Sequence, residues 1–144
     1  MAPDVIFKYA NMLALAGWVI IIFLPRRWPA LFWVPQFLIP GFLALGYSGL
    51  ILANFGQSDG GFGSIPEVRA LFASDALLTA GWIHYLAFDL FIGAWIARRA
   101  DEAGVHRLIQ APILAATFMF GPMGLLLFLL TRAGIAAFVR PKAE

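Results

Sequence analysis

Four apolar segments, each long enough to cross a lipid bilayer, constrain what this sequence can fold into. They run from about 5 to 24, 31 to 54, 75 to 97 and 108 to 130. A helix needs ~20 apolar residues to cross ~30 Å of hydrocarbon, because each residue advances it by ~1.5 Å. Since 62% of the residues are hydrophobic and only 12% are charged, an ordinary soluble domain is excluded. The sequence predicts an all-α membrane protein in which residues 1–144 form one domain, with four transmembrane helices in an up-down bundle.

Two prolines interrupt the second segment, and we expect them to bend its helix. Pro35 and Pro40 each lack the backbone N–H that an α-helix uses, and Gly41 follows directly. Inside a membrane, neighbouring helices can satisfy the carbonyl groups that a proline leaves free. The pattern therefore predicts a distorted helix with space beside Pro40 and Gly41.

A glycine-rich polar loop, 56–64, follows the second segment and leads into a short amphipathic one. Ser64 is followed three residues later by Glu67, which is the spacing of a capping box at the start of a helix. We expect a short helix from Pro66 to Ala73 that lies in the membrane interface between spans 2 and 3.

The basic residues do not decide how the bundle is oriented. The two short connections carry Arg26, Arg27, Arg98, Arg99 and Arg107, and the opposite side carries Lys8, Arg69, Arg132, Arg140 and Lys142. Positive charge is normally retained in the cytoplasm, and here the two sides tie. The scarcity of basic residues in the glycine-rich loop favours cytoplasmic short connections. The lack of a Ser- and Arg-rich transit peptide favours the bacterial inner membrane, with a plastid membrane as the location in a phototrophic eukaryote.

The third segment contains two ionisable side chains at membrane depth, His84 and Asp89. An ionised carboxylate at the centre of a membrane helix costs ~2.5–3.5 kcal/mol, whereas each leucine or phenylalanine contributes only ~0.3–0.6 kcal/mol. Such a residue needs a partner and is by default a candidate functional residue. At ~100° per residue the two side chains point about 140° apart, so direct pairing is not expected. His84 should instead line a separate crevice beside Phe88, Phe91 and Trp95.

Polar positions fall on one face of each predicted helix, and these faces should meet inside the bundle. On the third segment this face carries Asp75, Thr79, Trp82, Tyr85, Asp89 and Gly93. The rise per residue places Thr117 level with Asp89, and Gln36 slightly nearer the short connections. We expect Asp89 to find a partner near Thr117 and Gly121, with Gln36 and Tyr85 close by.

The candidate site residues follow from these faces. The catalytic candidates are Asp89, His84 and Tyr85, and the ligand-binding candidates are Gln36, Tyr47, Trp82, Phe88, Trp95, Thr117 and Gly121. The alternative is that several of these residues only stabilise the helix bundle. Amide and hydroxyl side chains often only bond between membrane helices, at ~0.6 kcal/mol each, and tryptophans often form an interfacial belt.

The sequence also indicates which partners to expect. With two histidines, no cysteine and no metal-binding or phosphate-binding motif, we expect no metal and no cofactor. The expected partners are an apolar ligand such as a carotenoid or lipid, the membrane, and either a second copy or a pigment complex. No nucleic acid is expected, because the pI of 9.4 reflects basic residues at the membrane ends.

Two motifs resemble those of a known family. The run from His84 to Ile96 is HYLAFDLFIGAWI, and the run from Thr117 to Leu127 is TFMFGPMGLLL. Both are similar to motifs of the abscisic-acid-deficient-four-type family, as is Leu24-Pro25-Arg26, and the similarity extends from about Val5 to Arg132. The resemblance implies a four-helix plastid or bacterial membrane protein that acts on, or binds, xanthophylls. In plants the implied reaction converts the epoxide violaxanthin into the allenic neoxanthin without a redox change.

Two functions are compatible with these residues. A cofactor-free isomerase of this kind needs a proton donor at the epoxide oxygen and a base for a carbon-bound proton. A carboxyl desolvated in a dry bundle is favoured in its neutral form, so Asp89 is a candidate donor, with His84 or Tyr85 completing the proton path. A carotenoid is about as long as the hydrocarbon layer, ~30 Å, so Asp89 would meet its polyene rather than an end group. The alternative is a non-catalytic, photoprotective protein that binds a carotenoid or lipid, which an aromatic content of 15% suits.

Overall fold

The computed structural model describes residues 2–24 and 28–139, and the regular structure in this part of the chain is helical. The elements are α1 (Pro3–Phe23), α2 (Pro29–Trp33), a π-helical turn (Val34–Leu38), α3 (Ile39–Asn54), a 3-10 turn (Phe55–Gln57), α4 (Ile65–Leu71), α5 (Asp75–Glu102), α6 (Arg107–Phe120) and α7 (Pro122–Val139). The predicted all-α class is confirmed. Several residues used in the sequence argument lie outside the described ranges: Pro25, Arg26, Arg27, Arg140 and Lys142.

Three helical segments of the described chain are long and apolar enough to cross a membrane. These are Pro3–Phe23, Ala30–Gln57 and Asp75–Glu102, which correspond to the first three predicted spans. The predicted count of four spans is not confirmed, because the fourth segment, 108–130, does not form one helix.

The second of these segments is distorted where its prolines lie, as expected. Helix α2 passes through the π-helical turn Val34–Leu38 directly into α3. Pro35 and Pro40 cannot donate backbone hydrogen bonds, and in the wider turn an N–H bonds five residues back instead of four. A cavity of about 300 Å³ opens beside Pro40 and Gly41, so the expected space is present.

Helix α5 is the centre of the fold, since α1, α3, α6 and α7 all contact it. Small residues let these helices approach closely: a Cβ at Gly93 of α5 would overlap the ring of Trp18 on α1. Gly17 of α1 likewise leaves room for Leu90 of α5. Fully buried apolar side chains fill the rest of the space, among them Ile21, Ile83, Leu90, Ile96, Leu114 and Phe128. Such packing supplies the association energy of helices in lipid, where the hydrophobic effect does not drive them together.

The chain breaks at Gly121, in the middle of the predicted fourth span. Gly121 has a φ of 49°, a backbone conformation that residues with side chains rarely adopt. Pro122 follows and has no N–H with which to continue the hydrogen bonds of α6. Gly124 then lies so close to Thr117 that a Cβ there would overlap its backbone. Helices α6 and α7 are therefore in close contact at the break, through a residue without a side chain.

Helices α6 and α7 run in opposite directions along α5. The contacts that reveal this are Gln110 with Asp101 and Phe118 with Tyr85 for α6, and Gly121 with Asp89 and Phe128 with Trp95 for α7. Along α6 the partner on α5 has a falling residue number, and along α7 a rising one. The two helices thus form a hairpin, which we call the α6–α7 hairpin, and its tip lies at the depth of Asp89.

The short helix α4 begins with the expected capping box. The Ser64 hydroxyl accepts a hydrogen bond from the Glu67 N–H at 3.4 Å and donates one to the Glu67 carboxylate at 3.0 Å. The same carboxylate also accepts from the Gly63 N–H at 3.1 Å. Three N-terminal groups are thereby satisfied, and the helix lies within two residues of its predicted bounds. Its place in the membrane interface stays a prediction.

Candidate functional site

One face of α5 is lined by cavities over most of its length. The residues on this face recur every three or four positions and are Leu77, Gly81, His84, Phe88, Phe91, Trp95, Arg98 and Glu102. Their spacing keeps them within about 100° of one another around the helix axis. The π-helical turn and α3 pack along α5. The cavities therefore lie in the cleft between two membrane helices.

Three cavities follow one another along this cleft, with volumes of about 230, 300 and 430 Å³. The first is lined by Tyr47, Ile51, Phe62, Leu71, Phe72, Leu77, Gly81 and His84, the second by Gln36, Phe37, Pro40, Gly41, Ala44, Ala87, Phe88 and Phe91, and the third by Phe32, Trp33, Gln36, Phe37, Arg98, Asp101 and Glu102. We call these three cavities together the α3–α5 groove. Its middle cavity is apolar, and its third cavity combines three aromatic side chains with Gln36 and three charged ones.

The three cavities are adjacent. Gln36 and Phe37 line both the second and the third, and the His84 ring of the first lies 4.6 Å from the Phe88 ring of the second. From Leu77 to Glu102, α5 rises by about 37 Å at ~1.5 Å per residue. The α3–α5 groove is therefore at least as long as the ~30 Å hydrocarbon layer is thick.

His84 is an ionisable side chain in the first cavity of the groove. Its ring lies 5.6 Å from that of Tyr47 and 4.6 Å from that of Phe88, so it sits in an aromatic wall as expected. The expectation that Trp95 would be its neighbour is wrong. Trp95 packs edge-on against Phe128 at 5.6 Å, because the α6–α7 hairpin covers that part of α5.

Gln36 lies where the apolar and polar parts of the groove meet. Its side-chain oxygen accepts a hydrogen bond from the Arg98 guanidinium at 3.1 Å, and the residue is 9% exposed. The expectation that Gln36 would lie beside Asp89 is wrong, since Arg98 is nine positions further along α5. Both residues lie near the short-connection ends of their segments, and that shared depth is the signal that could have paired them.

Asp89 faces the tip of the α6–α7 hairpin, on the other side of α5. Both of its carboxylate oxygens lie 2.8 Å from where a Cβ of Gly121 would be, so the expected neighbourhood is correct. Thr117 is not its partner, because the Thr117 hydroxyl donates to the Ile113 carbonyl at 2.9 Å. The Asp89 Oδ2 atom is buried and has no hydrogen-bond partner among the described residues. The carboxyl adjoins the amino end of α7, where the helix dipole favours negative charge.

A profile of the ABA DEFICIENT 4-like proteins matches residues 5–128, from α1 into α7. The chain belongs to the ABA DEFICIENT 4-like family. Comparison with curated proteins and with solved structures gave no match. The two motifs that resemble the family come together in the fold, because Asp89 of the first meets Gly121 of the second. In this family member, the motifs therefore meet where the hairpin tip contacts α5.

Two further candidate residues of this ABA DEFICIENT 4-like protein, Trp82 and Tyr85, tie the helices together on the Asp89 face. The Trp82 indole donates to the Asn11 side chain of α1 at 3.1 Å, and the Tyr85 hydroxyl donates to the Phe118 carbonyl of α6 at 3.1 Å. Their rings lie 5.3 Å apart. Both hydrogen bonds join neighbouring helices, so they fit the alternative in which these residues only hold the helices together.

The predicted site residues thus divide between two faces of α5. Gln36, Tyr47, His84 and Phe88 line the groove, and Trp82, Tyr85, Asp89, Thr117 and Gly121 lie on the hairpin side. Trp95 lines the smaller cavity beside the groove and also contacts Phe128 of the hairpin. The groove has room for an elongated apolar molecule and presents an imidazole to it. Asp89 lines none of the three groove cavities, so its predicted catalytic role remains a prediction. Among residues 2–24 and 28–139, no three His, Asp or Glu side chains cluster as metal ligands would.

Proposed function

We propose that this protein holds a carotenoid in the α3–α5 groove and isomerises its oxygenated end group without a cofactor. The observation that carries the proposal is a row of three adjacent cavities that together extend over a length comparable to the bilayer thickness, with an apolar middle cavity and charged side chains at one end. A xanthophyll has the matching shape, with a stiff apolar polyene and polar groups on its end rings. Membership of the ABA DEFICIENT 4-like family supports a carotenoid-related membrane protein.

The length of the groove brings a ligand's end ring to His84. From Glu102 to His84, α5 rises by about 27 Å at ~1.5 Å per residue. A ligand of ~30 Å whose polar end lies in the third cavity therefore reaches the first cavity with its other end ring. This placement of the ligand supports chemistry at His84, because it puts an end ring rather than the polyene beside the imidazole.

Within this proposal, His84 transfers the proton. Opening an epoxide to an allenic alcohol breaks an epoxide C–O bond and a vinylic C–H bond, and it forms a C=C bond and an O–H bond. One proton passes from carbon to oxygen, and no electrons are gained or lost. A neutral imidazole accepts a proton at one nitrogen and donates from the other, so a single histidine can serve both steps. The rings of Tyr47 and Phe88 pack beside the imidazole, and an apolar ligand bound there would keep away the water that opens an epoxide to a diol.

A second function, binding without catalysis, is favoured by the position of the carboxylates. Of the described residues that line the first cavity, those that can exchange a proton are His84 and Tyr47, and none of them is an Asp or Glu. A histidine that is oriented by a carboxylate is the more effective proton-transfer group. A photoprotective protein would need only to hold the pigment in place.

Pigment analysis separates the two functions. Cells that produce epoxy-xanthophylls, with and without this gene, are compared by chromatography and mass spectrometry. An isomerase yields a new pigment of unchanged mass only in cells that carry the gene. Unchanged pigments together with a stoichiometric pigment on the purified protein indicate binding alone. Identical pigment profiles and a colourless protein would contradict both functions.

We also propose that the chain crosses the membrane with three helices and that the α6–α7 hairpin enters and leaves on one side. The protein has no cysteine, so single cysteines can report the sidedness of each loop. We expect Arg132→Cys to react with an impermeant maleimide from the same side as Ala103→Cys, and Ser58→Cys from the opposite side. A fourth complete span would instead make Arg132→Cys react together with Ser58→Cys, which is the result that contradicts this placement.

A further inference from the structure

We infer that Gln36 and Arg98 form a subsite for an uncharged hydroxyl group on the ligand, and that this subsite selects oxygenated carotenoids over hydrocarbon ones. The inference rests on the proposed function and adds the chemical group that the groove recognises. It concerns the end of the groove opposite His84, so it is independent of whether the protein catalyses a reaction.

The position of Gln36 is the first observation. It lines the second and third cavities of the groove and also a smaller polar cavity of about 180 Å³ with Trp95, Arg98 and Glu102. The apolar part of the groove ends at this side chain. A long apolar molecule in the groove would therefore place its terminal ring against the Gln36 amide.

The unused hydrogen-bond donors are the second observation. The Gln36 oxygen accepts from Arg98 at 3.1 Å, which leaves the two N–H bonds of its amide nitrogen without a partner among the described residues. A guanidinium has five N–H bonds, so Arg98 also retains donors. A hydroxyl oxygen can accept two hydrogen bonds, one from each side chain. A hydrocarbon ring packed against the buried Gln36 side chain would instead leave its two N–H bonds unpaired, which lowers the affinity.

The charges around the third cavity are the third observation. Among the described residues that line the third cavity and the smaller cavity beside it, Arg98 and Arg99 are matched in number by Asp101 and Glu102, and Arg99 forms an ion pair with Glu102 at 2.9 Å. A site for a phosphate or carboxylate normally presents an excess of positive charge. The balanced rim favours a neutral polar group, and it disfavours the headgroup of an anionic lipid.

The backbone supplies the fourth observation. Gln36 lies in the π-helical turn Val34–Leu38, and such turns are rare and often occur at functional sites. The turn follows from Pro35 and Pro40, which remove backbone donors on both sides of Gln36. The distortion brings the amide into hydrogen-bond contact with Arg98.

The test compares two ligands that differ only in their hydroxyl groups. Purified full-length protein in nanodiscs is titrated with zeaxanthin and with β-carotene, and binding is followed by quenching of tryptophan fluorescence, with empty nanodiscs as the blank. We expect the wild-type protein to bind zeaxanthin at least about fivefold more tightly, which corresponds to about one hydrogen bond. Gln36→Met, which keeps the side-chain length, should remove this preference, because it weakens zeaxanthin binding and relieves the unpaired donors that disfavour β-carotene.

Gln57→Met is the matched control, because it removes an amide from the 3-10 turn, away from the three groove cavities. It should change neither affinity. Gln36→Leu repeats the test should the methionine variant fail to fold. An unchanged zeaxanthin preference in the Gln36 variants would overturn the inference, as would displacement of both pigments by an anionic phospholipid. If neither pigment binds the wild-type protein, the proposed function itself fails, whereas equal binding of both pigments defeats only the hydroxyl subsite.

Discussion

Replacing His84 by phenylalanine is expected to lower pigment isomerisation by about 10²- to 10⁴-fold, which is the usual contribution of a general acid–base group. Pigment binding should be nearly unchanged. Phenylalanine keeps the ring packing against Tyr47 and Phe88, whose rings lie 5.6 and 4.6 Å away, and it removes both nitrogens. The measurement is the initial rate of isomer formation by purified protein in nanodiscs, together with the amount of pigment bound per protein.

The other histidine provides a matched control. His106 caps α6, where its side chain accepts a hydrogen bond from the Leu108 N–H at 3.3 Å. His106→Phe removes that cap, so it should lower stability by ~1 kcal/mol without changing the rate per folded protein. Equal losses of rate in the two variants would contradict a specific role for His84.

Asp89→Asn distinguishes the two faces of α5. If chemistry occurs in the groove, this variant should isomerise pigment within a few-fold of the wild-type rate, because Asp89 lines none of the groove cavities. If it loses as much activity as His84→Phe, the catalytic role predicted for Asp89 from the sequence is correct and the groove serves binding only.

The parts of the fold that the sequence predicted are those determined within a single segment. Apolar length alone marks the first three spans, and the capping box at Ser64 and Glu67 needs only local spacing. The distortion near Pro40 follows from a missing N–H, which is a property of the residue itself. The separation of His84 from Asp89 follows from helix geometry, because α5 is regular over both positions.

The parts that it did not predict depend on tertiary contacts. Hydropathy is the same whether the chain continues or reverses at Gly121, and a Gly-Pro pair permits either a kink or a turn. The close contact of Gly124 with Thr117 favours the reversal, and this contact cannot be predicted from the local sequence. The partner of Gln36 was missed because a π-helical turn adds a residue, which rotates the helix face by about 100° relative to an uninterrupted helix.

The largest structural effect is expected from Gly121→Ala, because two independent penalties meet there. The φ of 49° is unfavourable for any residue with a side chain, at about 1–3 kcal/mol. The new methyl group would also lie 2.8 Å from both oxygens of the Asp89 carboxylate, and such overpacking costs about another 1–3 kcal/mol. We expect a marked fall in thermal stability and in the yield of monodisperse protein, both measured by size-exclusion chromatography after heating.

Gly134→Ala is the matched control for this variant. Gly134 also lies in the described part of α7 and does not have a positive φ, and no atom of another described helix or side chain lies within 4 Å of where its Cβ would be. Alanine there should stabilise the helix by up to ~1 kcal/mol. Adding Asp89→Ala to Gly121→Ala should restore only part of the loss, since it relieves the overlap and leaves the backbone penalty. If Gly121→Ala were as stable as Gly134→Ala, the chain would not reverse at Gly121, and a continuous fourth span would be the better description.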